Sequence, residues 1–161
     1  MEIYILRHGI AEDHNDGGDA PRALTDEGRR KLRRVLERAA KAKVAPSLIL
    51  SSPYVRARQT AELAAEILGY GRKIVQIDAL VPEGSPEALW EEIRARRQED
   101  AILIAGHEPM LSSSVAWLLG SPEVQIEMKK GALARIDVDH FGPRPAGVLQ
   151  WLITARLAGA D

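Results

Sequence analysis

Short apolar runs of strand length alternate with segments of helical spacing along this chain, and few folds accept that alternation. Glu2–Leu6, Ser47–Ser51, Lys73–Asp78 and Ala101–Ala105 read as strands. Between the first two lies a helix with Thr25 as N-cap and Asp26 and Glu27 in its first turn, where negative charge suits the helix dipole. Leu32, Val35, Leu36, Ala39 and Ala40 recur on one face of it, and Pro46 stops it. Val55–Leu68 is a second helix, closed by Gly69, with Pro86–Gln98 and Met110–Leu119 as the third and fourth. Leu133–Val138 and Val148–Thr154 lack a helix between them and predict an antiparallel edge pair. The expectation is an α/β three-layer sandwich with a mixed, mainly parallel sheet of about six strands and helices on both faces. At 161 residues the chain reads as a single domain over 1–161.

In such sheets ligands bind beyond the C-terminal ends of the strands. Arg7-His8-Gly9 follows the first strand, Ser52-Pro53-Tyr54-Val55-Arg56 the second, and Gly106-His107-Glu108-Pro109 the fourth. Each residue alone has an ordinary reading: a hydrogen-bonded histidine, a surface arginine, a helix-capping segment. Jointly they deliver Arg7, His8, Arg56 and His107 to one rim, which predicts an anion site. Two guanidinium forks match the equatorial oxygens of a phosphoryl group in transit. A neutral imidazole is a competent nucleophile, so hydrolysis divides into capture by His8 and release to water.

The competing classes fit less well. With no cysteine there is neither a thiolate metal site nor a thiol nucleophile. His8, Glu12, Asp13, His14, His107 and Glu108 have metal-ligand chemistry, but Arg7 and Arg56 would repel an ion there, so no metal and no cofactor is expected. No glycine-rich dinucleotide or P-loop motif follows a strand. A formal net charge of -1 speaks against a nucleic-acid binder. No apolar run reaches membrane-spanning length, and Arg7 interrupts the N-terminal one, so a cytoplasmic protein is expected. Arg29–Lys43 holds eight basic residues against Glu37 alone, which reads as a solvated helix face or, alternatively, a docking surface for an acidic partner.

These residues resemble the histidine phosphatase superfamily, also called phosphoglycerate mutase-like. Arg7-His8-Gly9 resembles its RHG signature, Ser52–Ala61 its second motif, and Gly106-His107 its second histidine. Arg22–Gly28 is similar to a stretch of the SixA-type phosphohistidine phosphatases, which are short and lack the inserted cap of the mutases. The resemblance implies a phosphoglycerate mutase-like fold, His8 as phosphate acceptor, and Arg7, Arg56 and His107 as the phosphate pocket. It also implies a phosphohistidine-bearing phosphotransfer or signalling protein as partner. Larger members carry an acidic proton donor after the third strand; here Asp78 and Glu83 are both in that segment, and neither falls in register. The alternatives are a small-molecule phosphomonoesterase and a catalytically silent phospho-binding module.

Overall fold

The computed structural model describes residues 1–160 and contains one six-stranded sheet with helices on both faces. In chain order these are β1 (Glu2–Arg7), α1 (Asp26–Lys41), β2 (Leu48–Ser51), α2 (Val55–Leu68), β3 (Val75–Gln76), α3 (Pro86–Arg94), β4 (Ala101–Gly106), α4 (Met110–Leu118), β5 (Leu133–Asp137) and β6 (Val148–Ile153). Across the sheet the strands run β3-β2-β4-β1-β5-β6. The first four are parallel, β5 is antiparallel to β1, and β6 is antiparallel to β5.

Side-chain alternation along the strands divides the core in two. Ile3, Ile5, Leu48, Leu50, Ile102 and Ile104 face α3 and α4, meeting Trp90, Ile93, Leu111 and Val115. Tyr4, Leu6, Ile49 and Leu103 face α1 and α2, meeting Leu32, Val35, Leu36 and Ala61. At about 25 cal/mol per Å² of apolar surface, these fully covered side chains supply the main drive to fold. The basic residues of α1 lie on its outer side, opposite buried Leu32, Val35, Leu36 and Ala39. Lys31 pairs with Glu27 and Arg33 with Glu66.

Two elements are shorter than their sequence patterns predict. β3 retains only Val75–Gln76, because Asp78–Leu80 turns into a single 3-10 turn that buries Leu80. α3 ends at Arg94 rather than near Gln98. Its last amides switch to the tighter i→i+3 pattern, with Arg96 bonding Ile93 and Arg97 bonding Arg94.

The topology decides where the strand ends meet. β4 lies between β1 and β2, with Arg7 opposite Gly106 and Ser51 opposite Ala105. The chain leaves all three strands at one level: the His8 amide bonds the Gly106 carbonyl and the Ser52 amide bonds that of Ala105, each at 3.0 Å.

Candidate active site

His8 is the first residue after β1 and is buried. Its Nδ1 lies 2.7 Å from the Gly9 carbonyl oxygen, which can only accept, so Nδ1 carries the proton. On the other side, Arg56 Nε donates to His8 Nε2 at 3.3 Å. Both partners require the same tautomer, with Nε2 unprotonated and its lone pair directed into the pocket toward Arg56. Burial, offset in part by the Gly9 bond and reinforced by Arg56, Arg7 and Lys130, pushes the His8 pKa down to about 4. The imidazole is therefore neutral at physiological pH.

Arg56 comes from the first turn of α2 and is only 4% exposed. Its Nη1 donates to the Asp19 carbonyl at 2.9 Å and its Nη2 to the Asp19 carboxylate at 3.1 Å. The other Asp19 carboxylate oxygen accepts from Arg22 Nε at 2.8 Å. Partial burial pushes Asp19 upward, but its bonds to Arg22 and Arg56 outweigh this and hold it below the usual carboxylate range. Thr60, one turn beyond Arg56, accepts the Gly9 amide at 3.2 Å and donates to the Arg56 carbonyl at 2.8 Å. Gln59 accepts the Leu24 amide at 2.8 Å. One face of α2 thus holds the loops at both ends of the β1–α1 connection.

His107 follows β4, and its ring centroid is 5.2 Å from that of His8. Its Nε2 is 2.8 Å from Ser52 Oγ, while its buried Nδ1 has no partner among the described residues. Burial, then His8 and Arg56, push its pKa down to about 3. Tyr54 forms a wall beside both groups, edge-on to His107 at 5.2 Å, with the Arg56 guanidinium 5.3 Å from its ring centre. Arg7 is anchored by a 2.6 Å bond from Nη1 to the Met128 carbonyl, and its buried Nε is also without a partner. Burial lowers its pKa, against the partial support of Glu108 and Glu127. Among the described residues, two buried nitrogens of one pocket are thus left without partners, which suits an incoming anion, since buried polar groups are otherwise almost always paired.

The four residues singled out in the sequence therefore converge. Asp78 and Glu83 do not join them: both are exposed and make no side-chain bond to the pocket. Glu108 is committed elsewhere, accepting the Ser112 amide at 2.7 Å in the first turn of α4. Sequence reasoning missed Asp19, Ser52 as a partner of His107, and the Met128 carbonyl. Asp19 had no periodic signal; Ser52 was visible only as part of a motif. Among the described residues no group of three histidine or acidic side chains is placed to hold a metal ion.

The sequence profile of the histidine phosphatase superfamily (branch 1) matches residues 3–81. An uncharacterized protein of Picosynechococcus is 36% identical over 83% of this chain and 82% of its own length. The chain belongs to the histidine phosphatase superfamily. Phosphohistidine phosphatase SixA of Escherichia coli is 27% identical to this member, over 94% of the chain and 92% of the relative. The structure of the protein histidine phosphatase SixA complexed with tungstate superposes with a TM-score of 0.87 at 25% identity, covering 97% and 98% of the two chains. A phosphoserine phosphatase from Entamoeba histolytica shares the histidine phosphatase fold with a TM-score of 0.71 at 16% identity over 97% and 98% of the chains. Membership makes this chain a phosphatase with the phosphoglycerate mutase-like architecture.

Proposed function

We propose that this phosphatase hydrolyses phosphohistidine carried by another protein, with His8 as nucleophile and Arg7, Arg56 and His107 holding the phosphoryl oxygens. His8 Nε2 forms a bond to phosphorus as the bond from phosphorus to the substrate imidazole breaks. Protonated by solvent on its other nitrogen, that imidazole departs neutral. Water then attacks the phosphorus of phospho-His8 and releases inorganic phosphate, returning the lone pair to Nε2 and a proton to solvent. The two guanidinium groups and the His107 N–H stabilise charge on the equatorial oxygens in both steps.

The observation that carries this reading is a cationic pocket with no free carboxylic acid among the described residues. Asp19 is held ionised by two arginines, and Asp78 and Glu83 are exposed and make no side-chain bond to a pocket residue. An alkoxide must be protonated as it leaves, and a general acid is worth ~10²–10⁴-fold there. An imidazole needs no such help. The similarity to phosphohistidine phosphatase SixA supports the same substrate class. The second reading, a small-molecule phosphomonoesterase, is favoured by a recess of about 420 Å³ beside the pocket, lined by Asp13, His14, Asn15, Gly18, Asp19 and Arg22.

Turnover of a phosphohistidine protein, phosphoaspartate, para-nitrophenyl phosphate and a sugar phosphate by the same preparation separates the two. Phosphohistidine and the aryl ester are expected to be hydrolysed far faster than the sugar phosphate. The His8→Ala variant is expected to lose both turnover and acid-labile phosphate labelling. Brisk sugar-phosphate hydrolysis that collapses in Glu83→Gln would instead establish the small-molecule reading, with Glu83 as its general acid.

A further inference from the structure

Ser52 leaves β2 beside the end of β4, with no solvent exposure and its amide bonded to Ala105. Its hydroxyl has two neighbours. The backbone amide of Tyr54 donates to Ser52 Oγ at 3.2 Å, and His107 Nε2 lies 2.8 Å from the same oxygen. A serine hydroxyl holds one proton and two lone pairs. Tyr54 already fills one lone pair. Among the described residues, the acceptor in reach of the hydroxyl proton is His107 Nε2.

We infer that Ser52 is a positioning residue for the phosphatase reaction: its hydroxyl donates to His107 Nε2 and fixes His107 as the Nδ1–H tautomer. That tautomer turns a donor, not a lone pair, toward the phosphoryl oxygens. The reverse arrangement, with Nε2–H donating to Ser52, strands the serine proton in a buried site. It also presents a bare Nδ1 lone pair to an anion, which repels it. The orphaned state of buried Nδ1 agrees with the first arrangement, because a phosphoryl oxygen completes its hydrogen bonding on arrival.

The tautomer matters only because His107 is neutral. An imidazolium donates from both nitrogens whatever Ser52 does. Burial together with the adjacent His8 and Arg56 keeps the ring neutral at working pH. His107 is then the counterpart of His8 across the pocket. The Gly9 carbonyl makes His8 expose a lone pair, and the Ser52 hydroxyl makes His107 expose a proton. Two rings of one residue type, 5.2 Å apart, thereby acquire opposite roles.

This inference rests on the pocket being a phosphoryl site but not on the leaving group, and its first test needs no substrate. In ¹⁵N-histidine-labelled protein at pH 7, two-bond ¹H–¹⁵N correlation spectra, assigned with His107→Gln, are expected to show His107 protonated on Nδ1 and not on Nε2. Ser52→Ala is expected to shift the ring toward Nε2–H, weaken orthovanadate inhibition, and lower kcat on the order of 10²-fold, as loss of a transition-state donor does. Ser52→Thr, which keeps the hydroxyl, is expected to restore both the tautomer and most of the rate. A wild-type His107 protonated on Nε2 or on both nitrogens would overturn the inference even if Ser52→Ala failed to fold. So would a Ser52→Ala enzyme that loses activity with Nδ1–H still in place, because Ser52 would then act through packing alone. Failure on phosphohistidine while another phosphate is turned over, with the tautomer as expected, would instead count against the substrate reading alone.

Discussion

Arg56 divides its donors between two residues, Nε toward His8 and both terminal nitrogens toward Asp19. A guanidinium this deeply buried needs a countercharge, and in the free protein the Asp19 carboxylate provides it. On the proposed function, an incoming phosphoryl group brings a second set of negative oxygens to the same fork. Asp19 and the phosphoryl group therefore compete. Asp19→Asn is expected to tighten inhibition by inorganic phosphate and orthovanadate several-fold, because a negative charge beside the anion has gone. The same change is expected to lower kcat, since Arg56 loses one of the bonds that aim it. Inhibition constants against both anions decide the point; unchanged or weaker binding would show that Asp19 does not compete.

At the scale of elements, the pocket depends on how closely the loop after β1 lies against the start of α1. The Thr25 amide bonds the Ile10 carbonyl at 3.0 Å, Thr25 Oγ1 caps the Gly28 amide at 3.0 Å, and Ala11 bridges Leu24. Gly28 makes this approach feasible: a Cβ there would stand 2.1 Å from the Ile10 carbonyl oxygen, a backbone atom with no freedom to swing aside. Gly28→Ala is expected to cost about 1–3 kcal/mol in urea denaturation, the range for overpacking a close contact. It is also expected to reduce kcat, because Asp19 and Arg22 belong to the displaced loop. Gly71→Ala is the control, since a Cβ at Gly71 meets nothing within 4 Å. Equal stabilities for the two variants would mean that the loop yields without strain. α2 serves the same end from its other side, where Arg56, Gln59 and Thr60 recur at helical spacing and face the loop.

For the whole molecule, keeping two buried histidines neutral has a consequence for acid stability. The pKa of His8 is pushed down to about 4 and that of His107 to about 3, whereas in the unfolded chain both return to about 6.5. Above that value neither state binds protons at these rings, and the native state keeps its full stability. As pH falls from about 6.5 toward 4, the unfolded chain takes up protons that the native state refuses, so stability declines. Paired carboxylates such as Glu27 and Glu99, whose pKa values are lowered, titrate below most of this window. The denaturation midpoint is therefore expected to fall between pH 6.5 and 5, with a shallower slope in the His8→Asn/His107→Asn double variant. A flat wild-type profile across that interval would show that the two rings are not held neutral by the fold.

Strand and helix order, the parallel core with its antiparallel edge, and the three strand ends bearing Arg7, His8, Arg56 and His107 were all legible in the sequence. Periodicity and strand-end position are local properties, carried by neighbours a few residues apart. The early end of β3 was not legible, because burying Leu80 in a 3-10 turn is decided by packing against the sheet. Nor were the contacts that set the chemistry of the pocket. Asp19 reaches Arg56 across 37 positions, Ser52 reaches His107 across 55, and Met128 reaches Arg7 across 121. Each arises where one loop happens to pass another strand end, and no spacing within the chain encodes that. The sequence by itself determined which cations and imidazoles meet at the rim of the sheet. Only the tertiary structure decided which nitrogen of each ring holds a proton and which carboxylate accompanies Arg56, because both depend on partners that folding alone brings within hydrogen-bond reach.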